Sequence, residues 1–162
     1  RPRARPAAKY VLAANRFAML AGALLLWVGI SGLFFDGEHS APAADAARHA
    51  LGLGLVTMLV VGMAQLLAPF FALRRLDAHG PALIDRAVWW CLLSAALLRV
   101  TTGLAAAEWT GSSRLHMSAL AGTLGWLGLV FFATTVIQAI RSEPRLKAQL
   151  AATADAARAA HS

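Results

Sequence analysis

The chain has 162 residues, of which 59% are hydrophobic and only 14% are charged. Soluble domains usually carry charge on about a quarter of their residues, so this composition excludes an ordinary soluble fold and indicates a protein that crosses a membrane several times. The net charge of +7 would suit nucleic-acid binding, but the basic residues flank apolar runs. In that position they set topology and contact anionic lipid, so we exclude nucleic acid as a partner and expect the lipid bilayer.

Four long apolar runs predict an all-α, polytopic membrane protein whose transmembrane domain, residues 11–140, is an antiparallel four-helix bundle. Residues 1–10 are basic and contain two prolines, which predicts a cytoplasmic tail, and the Ala-rich residues 141–162 predict a second one. The predicted helices cover about 11–35, 45–73, 87–107 and 114–140. In the first of them, Gly22, Gly29 and Gly32 predict close contact with neighbouring helices.

The distribution of Lys and Arg predicts the topology. Twelve of these residues lie in the amino-terminal segment, the second loop and the carboxyl segment, whereas two lie in or beside the other two loops. The positive-inside rule therefore places both termini in the cytoplasm. Helices two and four then both run from the outer face to the inner face.

Ionisable residues near the outer ends of the helices are the candidate site residues. His49 and His116 lie within the first turn or so of helices two and four, so their depths in the membrane can match. Arg99 lies in the outer half of helix three, where an arginine costs about 2.5–3.5 kcal/mol and requires a partner. No acidic residue lies inside the four predicted helices, so the anion must come from the outer rim, another subunit or a ligand. The acidic residues of the rim are Asp36, Glu38, Asp45 and Glu108.

Two imidazoles at matched depth can hold a haem b iron from both sides, and Arg99 can pair with a haem propionate. With both axial positions taken by His49 and His116, such a haem transfers electrons and binds no substrate at the iron. Small residues close to the histidines leave room for a flat macrocycle: Gly52, Gly54, Ser118, Ala119 and Gly122.

The segment His49-Ala-Leu-Gly-Leu-Gly-Leu-Val-Thr-Met-Leu-Val-Val-Gly-Met resembles the His-led helix of the NnrS family. Leu97-Leu-Arg-Val and Ala121-Gly-Thr-Leu-Gly-Trp resemble the last helices of that family, and the resemblance covers about residues 45–140. It implies a bacterial inner-membrane protein containing haem and copper and linked to nitric oxide stress. NnrS proteins have many more helices than this chain, so the resemblance extends at most to His49, His116 and Arg99 as site residues.

Three functions are open at this point. The first is a haem b-binding electron-transfer subunit that works with quinol or a partner complex. The second is a cofactor-free structural accessory subunit of a respiratory or photosynthetic complex, with Arg99 paired to a neighbouring subunit. The third is a copper or haem sensor that uses His39, His49 and His116. The sequence has no Gly-rich phosphate loop, nucleophile elbow or HExxH motif, so we expect a non-catalytic subunit of an oxidoreductase complex.

Overall fold

A computed structural model describes residues 6–34, 40–72, 82–105 and 111–161. Within these residues all regular secondary structure is helical, and four helical stretches are long and apolar enough to cross a membrane. We call them spans 1 to 4: Ala7–Phe34, Ala41–Leu67, Leu83–Leu104 and Ser112–Gln138. The predicted all-α class and the multi-pass membrane character are therefore confirmed.

The helices differ from the predicted ones mainly at their ends. Span 1 belongs to α1 (Pro6–Phe34), span 3 to α4 (Ala82–Leu104) and span 4 to α5 (Ser112–His161). Span 2 consists of α2 (Ser40–His49), a π-helical segment (Ala50–Thr57) and α3 (Met58–Ala72). The segment 141–161, predicted as a tail, continues α5 without a break.

The helix α1 begins at Pro6, within the segment 1–10 that the sequence predicts as a tail. A proline suits the first position of a helix, where its missing N–H has no partner to lose. Tyr10 is fully buried and packs with Met58, Val61 and Val88 of two other helices. The burial of Tyr10 holds the start of α1 against the other helices. The proline and the basic residues of this segment had predicted a tail outside the bundle.

The π-helical segment Ala50–Thr57 was not predicted. In a π-helix the backbone bonds reach five residues, and the Thr57 hydroxyl follows the same spacing by donating to the Gly52 carbonyl at 3.0 Å. Gly52 and Gly54 lie inside it and place no side chain against their neighbours. Because the π-helical segment begins directly after His49, it changes the rotation of the following side chains about the helix axis.

Span 2 lies between α1 and α4, and α5 packs mainly on α4. Each of these contacts is close because a glycine stands at it. A Cβ atom at Gly54 would lie 2.3 Å from Phe17 Cγ, and one at Gly103 would lie 3.0 Å from the Ala46 backbone nitrogen. At Gly128 it would lie 2.8 Å from Leu92 Cδ2. The backbones therefore come nearly into contact at Gly103, whereas Gly54 and Gly128 leave room for a side chain of the neighbouring helix.

The glycines expected to make close contacts in the first helix do not make them. No atom of another helix lies within 4 Å of the Cβ position at Gly22, Gly29 or Gly32 in the described part of the chain. The small residues that α1 does bury are alanines, and Ala21 packs with Ala46, Ala50 and Ala96. Composition alone could not show which of the small residues face a neighbour.

We predict that Gly54→Val lowers the free energy of unfolding by about 1–3 kcal/mol, because the new side chain must displace Phe17. Gly52→Val is the matched control in the same π-helical segment, since no neighbouring atom lies within 4 Å of its Cβ position. Thermal unfolding in detergent micelles measures both variants. Equal melting temperatures for the two would contradict the contact between the π-helical segment and α1.

Candidate functional site

The described residues contain two polar clusters within the membrane-spanning helices. The histidine cluster consists of Asp45, His49 and Arg99, and the aspartate cluster consists of Lys9, Tyr10, Gln65, Asp85 and Trp89. Arg99 and Asp85 are fourteen residues apart on α4, which separates the clusters by about 21 Å along that helix.

The histidine cluster brings together two of the predicted site residues, His49 and Arg99. They lie on α2 and α4, which pack together, and because Ala46 meets Gly103 the two residues stand at about the same height on these helices. The His49 Nε2 atom is 3.6 Å from Asp45 Oδ1, one turn earlier on α2. That distance is too long for a hydrogen bond, so the two groups attract each other electrostatically when the imidazole is protonated.

Asp45, one of the four acidic residues of the outer rim named as candidate partners of Arg99, lies one turn before His49. Its side chain is 41% exposed and that of His49 is 26% exposed, so both remain accessible from outside the helices. Asp36, Glu38 and Glu108 lie outside the described residues. The expectation that no acidic residue lies inside the helices is wrong, because Asp45 falls within span 2 and Asp85 within span 3.

His116, the predicted second ligand, lies on a different surface. Its side chain is exposed, and its Nδ1 atom is 2.6 Å from the Ser112 carbonyl oxygen of the same helix. Nine residues later, Gly125 packs on Ala95 of α4. Nine residues turn a helix by about 900°, which puts His116 on the side of α5 opposite to Gly125. The packing of α5 on α4 therefore does not bring His116 towards His49.

The space beside the small residues that were expected to accommodate a flat macrocycle is only partly open. No neighbouring atom lies within 4 Å of the Cβ positions of Gly52 and Gly122, whereas Phe17 fills the space at Gly54. Ala119 is exposed on α5. Open space thus exists beside each histidine, but on separate surfaces of the described chain.

Among the described residues, no three His, Cys, Asp or Glu side chains come together as ligands of one metal ion. His39, which the sensor hypothesis combined with His49 and His116, lies outside these residues. The roles of His49, His116 and Arg99 as haem or copper ligands stay predictions.

The aspartate cluster is centred on the Asp85 carboxylate, which binds groups from two other helices. Lys9 Nζ donates to Oδ2 at 2.5 Å, and the Tyr10 hydroxyl donates to Oδ1 at 3.2 Å. Gln65 Nε2 of α3 also donates to Oδ1 at 3.2 Å. One carboxylate therefore joins α1, α3 and α4 at one end of the bundle.

Aromatic rings surround the ammonium group of this cluster. Lys9 Nζ lies 5.1 Å from the centre of the Tyr10 ring and 5.5 Å from that of Trp89. The two rings meet edge to face at 5.1 Å. Cations are attracted to aromatic faces, so the rings hold the ammonium beside Asp85. The Gln65 Oε1 atom is buried and accepts no hydrogen bond from the described residues.

Lys9 and Asp85, two members of this cluster, lie outside the helices that the sequence predicts. Lys9 was placed in the tail, and the predicted helix three began two residues after Asp85. A helix that begins at residue 82 instead puts Asp85, Trp89 and Leu92 on one face, at the spacing of a packed helical stripe. That periodicity was the signal that could have found it.

Comparisons with known proteins give no further guide: no family model, curated protein or solved structure matches this chain.

We predict that the Lys9–Asp85 ion pair couples α1 to α4 energetically. Lys9→Met and Asp85→Asn should each reduce stability, and together they should show a coupling energy of about 0.5–3 kcal/mol in a double-mutant cycle. Reversible unfolding in detergent gives the four free energies. Arg114→Met combined with Asp85→Asn is the control cycle, because the pairings of Gly125 with Ala95 and of Gly128 with Leu92 put the exposed Arg114 near the other end of α4. Equal coupling energies in the two cycles would show that the ion pair contributes nothing specific.

Proposed function

We propose that this chain is a structural accessory subunit of a larger respiratory or photosynthetic complex in a bacterial inner membrane. The observation that carries the proposal is the engagement of its intramembrane ionisable groups with one another. Lys9 and Asp85 pair across helices, and His49 lies 3.6 Å from Asp45 on its own helix. Ionisable residues in membrane helices otherwise mark transport or catalytic paths, whereas the Lys9–Asp85 pair joins two helices of the same bundle.

The outward face of α5 supports a role in assembly. α5 packs mainly on α4, and the exposed residues of α5 include His116, Gly122 and Trp126. Gly122 has no neighbouring atom within 4 Å of its Cβ position, and Trp126 is 65% exposed. A small residue beside a large aromatic residue suits the close approach of another membrane helix. In this proposal a helix of the complex packs there.

The proposed topology is an antiparallel bundle with both termini in the cytoplasm. Tyr10 meets Gly62, while Phe17, seven residues later in α1, meets Gly54, eight residues earlier in span 2. Leu92 likewise meets Gly128, while Ala95 meets Gly125. These pairings support opposite directions for successive spans, and the excess of Lys and Arg at both ends of the chain supports a cytoplasmic location for the termini.

Cysteine labelling tests this topology. In a Cys91→Ala background, an impermeant maleimide added to intact cells should label Ser113→Cys and should leave Arg141→Cys unlabelled. Both positions are exposed at the ends of span 4, so accessibility does not favour one of them. The reverse labelling pattern would overturn the proposed orientation.

A second candidate function is a haem b-binding electron-transfer subunit, and the proximity of His49 and Arg99 favours it. His49 would bind the iron, and Arg99 would pair with a propionate. Bound haem b would supply one-electron transfer with quinol or a partner complex. His116 faces away from α4, so as the second ligand it would act where α5 meets another polypeptide. The resemblance to the NnrS family agrees with this candidate.

Purification from native membranes in mild detergent separates the two candidates. For the structural subunit, we expect the chain to migrate as part of a larger complex and to contribute no haem. Gly122→Leu should release it from that complex, whereas Gly22→Leu, at an equally open glycine of α1, should not.

A reduced-minus-oxidised spectrum of the same purified chain provides the second readout. A b-type α-band that disappears in His49→Ala and persists in His161→Ala would establish the haem candidate instead. A chain that migrates alone and shows no α-band would contradict both candidates.

A further inference from the structure

A groove of about 430 Å³ runs between α1 and α4. Both helices pack on span 2, and the groove is the space left between them on the other side. Its α1 wall follows one helical stripe from Lys9 to Leu20, and its α4 wall is formed by Trp89, Leu93 and Leu97. The α1 stripe is about 16 Å long, so the groove follows the helices for about half of the hydrocarbon core of a bilayer.

The groove is polar at one end and apolar along the rest. Lys9, held by Asp85 and the rings of Tyr10 and Trp89, closes the polar end. Arg16 lies two helical turns further along the same stripe, with its side chain exposed. Beyond it the walls are Phe17, Leu20, Leu93 and Leu97. Asp85 balances the charge of Lys9, so Arg16 gives the groove its excess positive charge.

We propose that this groove binds an anionic phospholipid. The phosphate of the lipid lies between the Lys9 ammonium and the Arg16 guanidinium, which extends its long stem towards the membrane surface. An acyl chain of the lipid lies along the leucines and Phe17. Charge complementarity identifies the occupant, since basic pockets between membrane helices select anionic headgroups and a zwitterionic lipid gains no comparable attraction.

Native mass spectrometry tests the proposal. The full chain, purified in detergent, is incubated with equal amounts of dioleoyl phosphatidylglycerol and dioleoyl phosphatidylcholine, and the adducts are counted. We expect phosphatidylglycerol adducts to predominate in the wild type. Arg16→Gln should reduce that preference about fivefold, the change that corresponds to losing one cation near anionic lipid.

Two further variants separate groove binding from other effects. Arg16→Lys keeps the charge and should keep the preference, which shows that the loss in Arg16→Gln is not a folding defect. Arg114→Gln removes an exposed arginine of α5 outside the groove and should leave the preference unchanged. Equal adducts of the two lipids in the wild type, or equal losses in Arg16→Gln and Arg114→Gln, would overturn the proposal. A photoreactive residue at position 97 that cross-links a protein instead of lipid would also overturn it.

Discussion

The Asp85 carboxylate holds together the end of the bundle at which α1 begins. Three donors from two other helices converge on it: Lys9, Tyr10 and Gln65. In the low dielectric of a membrane-spanning region, a charge is tolerated only when its partners are close, so the positions of these helices depend on each other. The same interaction explains why α1 and α4 both begin earlier than their apolar runs suggest. Their first turns contain polar residues whose partners lie on other helices.

Span 2 is the element around which the other helices are arranged. Its glycines allow Phe17 and Tyr10 of α1 to approach it closely, and Ala46 meets Gly103 of α4. Its π-helical segment begins after His49 and changes the rotation, about the helix axis, of the side chains that lie between the two polar clusters. Since α1 and α4 contact span 2 more than each other, a groove stays open between them, and the Lys9–Asp85 pair closes one end of it. The helix packing and the proposed lipid site therefore have the same origin.

The predicted histidine pair illustrates where sequence reasoning succeeds and where it stops. Matched depth follows from the position of a residue along its helix, which the sequence supplies directly. The direction of a side chain around the helix axis depends on which side of the helix is packed. For α5 that side contains Ala121, Gly125 and Gly128, all buried, and it leaves His116 on the opposite face. No apolar stripe distinguishes the two sides in the sequence, because lipid and protein neighbours both favour apolar residues.

The sequence by itself determined the all-helical class, the approximate positions of four spans and the presence of His49 and Arg99 within them. These features depend on composition and on the length of apolar runs, which the thickness of a bilayer constrains directly. Only the tertiary structure decided which glycines make contacts, that Asp85 joins Lys9 and Gln65, and that His49 and His116 occupy different surfaces. These features depend on the rotation of each helix about its axis and on the partner it meets, and in a membrane the hydrophobic pattern specifies neither of them.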